Sequence, residues 1–121
     1  MTVPAWIAVG LLGGVAAAAR FVIDAEIHAR VDGPFPLGIL AVNLAGALVL
    51  GIVAGAALHG VALAIVAGGG IGSFTTFSTW ILDSHRLEAA GQARLAQLNI
   101  GLSVLVGFAA VALGHWLGGV L

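Results

Sequence analysis

From Gly68 to Asp83 the chain reads Gly-Gly-Gly-Ile-Gly-Ser-Phe-Thr-Thr-Phe-Ser-Thr-Trp-Ile-Leu-Asp, and the residue types capable of chemistry are concentrated there. Four glycines in five positions precede five hydroxyl residues and three aromatics, inside a sequence that is otherwise nearly pure hydrocarbon. In a bilayer core every backbone polar group must be satisfied internally, so a glycine cluster that loosens a helix survives only buried in protein or beside a polar cavity. The cluster is therefore expected to break a helix midway through the membrane. Hydroxyls directly after the break, with aromatic rings at three-residue spacing, line up hydrogen-bond donors and positive ring edges along one path. An anion would use both.

Composition sets the class of protein that holds this stretch. Of 121 residues 61% are hydrophobic and 7% charged, and the mean hydropathy is +1.19. Soluble domains carry about 25% charged residues, so this is an integral membrane protein. A span takes about 20 mainly apolar residues, which leaves room for four and for no soluble domain. Cysteine is absent, which removes thiolate metal sites and disulfides. A net charge of -1 with no basic run argues against nucleic acid as a partner.

The helices that must position the polar stretch follow from the apolar runs. The first span is expected over residues 4–22 as a retained helix, since no basic residue precedes it as a signal peptide would require. Gly10, Gly14 and Ala18 form a small-residue row suited to helix packing. Arg20 closes this span, as a snorkelling anchor, the reading its position favours, or as a basic group that concentrates anions at a pore mouth. Residues 23–36 form a short charged link ended by Pro34 and Pro36.

The second span, 37–58, holds one strongly polar residue, Asn43, either interhelical glue or an N–H donor for an anion. His59-Gly60 makes a tight turn into the third span, 61–82, so spans two and three are antiparallel neighbours. Residues 84–94 form a polar loop with room for one helical turn. The fourth span, 95–117, carries Asn99 and Ser103 on one face. Ser103 either bonds back to its own helix or extends the hydroxyl track of the third span. His115 and Trp116 sit near an interface.

The run Gly72-Ser73-Phe74-Thr75-Thr76-Phe77-Ser78-Thr79-Trp80 resembles the signature Gly-x-x-Thr-Thr-Phe-Ser-Thr-Phe of the small fluoride channels, the Fluc or CrcB family. The resemblance extends to Arg20 and to Val42-Asn43-Leu44-Ala45-Gly46, and covers the whole chain. It implies an all-α fold of four spans whose third helix is broken at its centre, paired antiparallel in the membrane as a dual-topology dimer with two fluoride pores. It also implies a central structural sodium ion held by the backbone carbonyls of Gly72 and Thr75 from each subunit. By motif position Phe77 and Trp80 are the pore rings, Asn43 the pore amide, and Ser78, Thr79 and Ser103 the polar track, with Arg20 at the vestibule. The implied activity is passive fluoride export across the cell membrane, which lowers cytoplasmic toxicity, and no enzymatic reaction.

Four positions depart from the family pattern. Trp80 replaces a phenylalanine, Asp83 a frequent glutamate, and Gly107 a frequent hydroxyl; Asn99 stands where tyrosine is common. Tryptophan still has a positive ring edge and adds an N–H donor. Fluoride holds its water strongly, so a pore must offer replacement donors without a fixed positive charge that would trap the ion.

Arg30, Arg86 and Arg94 all fall in the first and third links, an asymmetry that hints at a fixed orientation and a heterodimer with an inverted paralogue. A homodimer is preferred, because five acids dilute the signal. The rivals from other classes are a small multidrug antiporter, which would need a carboxylate buried in residues 4–22, where none exists, and a non-transporting membrane subunit.

Overall fold

A computed structural model describes all of residues 1–121. The chain is all-helical: α1 (Val3–Arg30), α2 (Leu37–Gly55), α3 (Gly60–Leu63), a π-helical stretch (Ala64–Ile71), α4 (Gly72–Phe74), α5 (Ser78–Ala89) and α6 (Ala93–Gly119). Grouped by apolar length these make four helices able to cross a membrane, the third running from Gly60 to Ala89 with a bend inside it. The chain is a multi-pass membrane protein. Only 13 of 121 residues are buried within it, so most of its apolar surface needs lipid or another chain around it.

Two expected boundaries move. The first span does not stop at Val22; α1 continues to Arg30, about 42 Å at 1.5 Å per residue. Asp24, Glu26, His28 and Arg30 therefore form its last turns rather than a separate link, and Arg20 lies inside the helix rather than at its end. No glycine or proline occurs between Arg20 and Arg30 to stop it, and an exposed Glu26–Arg30 pair at 3.2 Å supports the last turn. The third span likewise runs on to Ala89 in place of a loop from residue 84. A turn at Ala90–Gln92, with Gly91 at φ +79, then reverses the chain.

The packing glycines are also not those singled out. A Cβ added to Gly10 or Gly14 would meet nothing within 4 Å from another helix of the chain. Gly13 does: a Cβ there would meet Ser73 Oγ at 3.0 Å and Gly69 O at 3.2 Å, while one on Gly69 would meet the Val9 carbonyl at 2.9 Å. These two glycines let α1 lie backbone to backbone along the π-helical stretch. In the same way Gly51 and Gly55 of α2 meet Gly114 and Gly118 of α6, where any side chain would run into the carbonyls of Leu48, Ile52, Val111 or His115. α2 against α6 is the most extensive helix pair in the molecule. It brings Asn43 and Ser103 into the lining of one groove.

Candidate functional site

The site begins where the third span stops being a helix. Gly68, Gly69 and Gly70 lie within the π-helical stretch, whose widened ring closes with Gly72 N–H on Ala67 O. The glycines are thus helical, and the break expected at them comes at Thr75-Thr76-Phe77 instead. Thr75 is extended (φ -83, ψ 163). The physical reason is that the glycines serve the close approach to α1, while the hydroxyl residues supply the hydrogen bonds that let the backbone leave the helix.

Four of the backbone groups freed there find a specific partner. Thr76 N–H donates to Asn43 Oδ1 at 2.9 Å, and Asn43 Nδ2 donates to Thr76 O at 2.9 Å. The amide so reproduces the two-bond pairing of a backbone strand across two helices. Arg20 Nη1 donates to Thr75 O at 3.1 Å, so the guanidinium caps the break from α1. Thr75 Oγ1 donates back to Ile71 O at 2.9 Å, and its methyl occupies the space left open by Gly46. Thr79 N–H donates to Thr76 Oγ1 at 3.2 Å, closing the first turn of α5 as a capping side chain does.

Two grooves open beside the break. One, of about 280 Å³, is lined by Asn43, Gly46, Ile71, Thr75, Thr76, Phe77 and Trp80, among others. The second, of about 300 Å³, shares Asn43, Ala47, Trp80 and Val111 with the first and continues to Ser103, Gly107 and Phe108. Shared walls join them into one track from the break to the middle of α6. Phe77 and Trp80 meet edge to face, with ring centroids 5.5 Å apart and planes at 77°. Phe77 is 71% exposed on the single chain.

The sequence-expected residues therefore divide. Asn43, Thr75, Phe77, Trp80 and Ser103 line the joined grooves. Ser78 and Thr79 stand on the first turn of α5 beside that lining, with the Thr79 hydroxyl accepting from Thr76 Oγ1 at 3.2 Å. Arg20 is tied to the Thr75 carbonyl in the interior of α1, which replaces the reading of it as an anchor closing the span. The indole N–H of Trp80, counted above as an added donor, points at Asn99 O at 3.4 Å. Ser84 was missed altogether: it is buried, donates to Trp80 O and accepts from Asn99 Nδ2, both at 2.9 Å. A single serine among charged residues carries no signal of burial, so only the contact with α6 could reveal it. Asn99 Oδ1 and Ser103 Oγ, one helical turn apart, are buried with no partner in the chain.

Comparison with known proteins decides the family. The model for "CrcB-like protein, Camphor Resistance (CrcB)" matches residues 7–115. The chain belongs to the CrcB family. Among relatives, "Fluoride-specific ion channel FluC 2" of Mycolicibacterium paratuberculosis is 45% identical over 116 residues, 96% of this chain and 95% of the relative. The FluC 2 of Mycobacterium tuberculosis H37Rv is 42% identical over 97% of this chain and 93% of its own length. Symbiobacterium thermophilum carries both a FluC 1 and a FluC 2, each 42% identical to this chain over 93% and 85% of it, and over 96% and 88% of their own lengths. These CrcB relatives are named as ion channels and not as enzymes.

Proposed function

We propose that this CrcB protein is a passive fluoride channel of the cell membrane, which lets fluoride leave and so limits its toxicity inside. The observation that carries the reading is the Asn43 clamp on Thr76, at the centre of a groove walled by an amide, hydroxyls and aromatic edges. A strongly hydrated anion needs donors in place of its water, held loosely enough to let it go. One N–H of the Asn43 amide remains uncommitted after the bond to Thr76 O, Ser103 Oγ is unpartnered, and the rings of Phe77 and Trp80 supply positive edges. No carboxylate lies in residues 4–22 of α1, so nothing there would couple protons to a drug.

The groove is open along one side of the single chain, and the exposure of Phe77 suits closure by a second subunit. An antiparallel homodimer would enclose two such tracks. The two FluC paralogues of S. thermophilum keep a heterodimer with an inverted partner in play as a second assembly.

A structural sodium ion suits the carbonyls of the break. Thr76 N–H, the helical donor for Gly72 O, is diverted to Asn43, and Thr79 N–H, the helical donor for Thr75 O, is diverted to the Thr76 hydroxyl. Gly72 and Thr75 thus offer oxygens of the kind hard cations accept, with Arg20 already on one lone pair of Thr75 O. Such an ion would neutralise carbonyl dipoles that face each other between two broken helices.

Purified protein in liposomes tests the reading with a fluoride electrode. Electrogenic fluoride efflux is expected, with no proton or drug antiport; absence of efflux, or drug antiport in its place, overturns it. Replacing sodium on both sides by N-methylglucamine should silence the channel, and indifference to that exchange would remove the ion from Gly72 and Thr75. Phe77→Ala should cut efflux about tenfold or more while the protein stays folded, because it leaves Trp80 as the one aromatic edge of the pair facing the groove. Wild-type rates in that variant would take Phe77 off the ion path.

A further inference from the structure

We propose that Ser84 and Asn99 are positioning residues for Trp80, holding the indole so that its ring edge, and not its N–H, faces the ion track. The inference rests on the channel reading above. Three residues close a ring of three hydrogen bonds between α5 and α6. Asn99 Nδ2 donates to Ser84 Oγ at 2.9 Å, Ser84 Oγ donates to Trp80 O at 2.9 Å, and Trp80 Nε1 donates to Asn99 O at 3.4 Å. Ser84 and Asn99 are only 4% and 1% exposed, whereas Trp80 lines both grooves. The two buried side chains therefore never reach the track themselves; they act through the ring.

The chemistry gives this arrangement a purpose. An indole N–H is a far stronger donor to a small anion than an aromatic C–H edge, and a site that binds too tightly does not conduct. Spending the N–H on the Asn99 carbonyl leaves the tryptophan with only its ring edge to offer. The serine and the asparagine amide then brace the carbonyl end of the same residue, which fixes the indole by its backbone and its tip together. Two departures noted in the sequence, Trp80 and Asn99, thus meet in one structure.

The test uses the full chain with Trp6→Phe and Trp116→Phe, so that Trp80 is the sole indole. In that background Ser84→Ala and Asn99→Leu should lower the fluorescence anisotropy of Trp80 and raise its quenching by acrylamide severalfold, and Ser84→Thr should restore both. Fluoride efflux should fall by about tenfold, the scale of one positioning hydrogen bond. In a Trp80→Phe channel the same two substitutions should leave efflux as it was. Ser84→Ala removes a single hydroxyl and keeps the test open if Asn99→Leu does not fold. Unchanged anisotropy and quenching in the folded Ser84→Ala protein, or an equal loss of efflux without the indole, overturns the proposal and leaves the pair as helix glue. The fluorescence needs no ion flow, so failure of the channel reading would be told apart from failure of this one.

Discussion

Asn43→Ala should abolish fluoride efflux and loosen the third span in one step. Its side chain is the partner of both the N–H and the C=O of Thr76, and alanine offers neither a donor nor an acceptor. Each orphaned group costs about 1–3 kcal/mol when buried, so the pair amounts to about 2–6 kcal/mol, and hydrocarbon surroundings push toward the upper end. The break would then either close into helix, blocking the track, or flood. Efflux from liposomes and the melting temperature in detergent should both fall. Asn43→Asp separates the two roles, because a carboxylate still accepts from Thr76 N–H but sets a negative charge against Thr76 O and against the passing anion. It should keep more of the stability and none of the flux. Wild-type efflux in Asn43→Ala would exclude the clamp from the mechanism.

Gly114→Val should prevent the folded protein from accumulating. A Cβ at this position runs into Leu48 O and sits 2.9 Å from Ile52 N, both backbone atoms of α2 that cannot swing aside as a side chain would. Overpacked cores lose about 1–3 kcal/mol when side chains can adjust; here two helices must separate, so the loss should exceed about 3 kcal/mol. Because α2 carries Asn43 and α6 carries Ser103 and Asn99, the site goes with the packing. Yield of monodisperse protein and thermal unfolding measure the effect, and Gly51→Val should match it from the other side. Gly10→Ala is the contrast. An added Cβ there meets nothing within 4 Å from another helix of the chain, so a loss there would report a neighbour from outside it.

Arg20 illustrates how the reading of single residues depends on a helix boundary. Taken as the last residue of a span that ends at Val22, it reads as an interfacial anchor; once α1 runs on to Arg30, it lies deep enough to reach Thr75 O. Charged residues in 23–30 suggest a loop because polar runs usually leave the membrane. A helix leaving the bilayer can keep its hydrogen bonds, though, and nothing in those residues breaks it. The glycine cluster misleads in a similar way. Glycine marks either a break or a close approach, and the sequence does not distinguish them until the other helix is present, as Gly13 and Val9 are here.

Four membrane spans, the polar stretch in the third, and the family were legible in the order of residues alone, because hydrophobic length and a nine-residue motif are local properties. Which residues satisfy the backbone at Thr75 and Thr76 was not, since Asn43 lies 33 positions away and Arg20 55, and only folding chooses among distant donors. The direction of the Trp80 N–H and the burial of Ser84 were likewise decided by α5 packing on α6, for a side chain's partners depend on what another helix brings to it and not on its own neighbours in the chain.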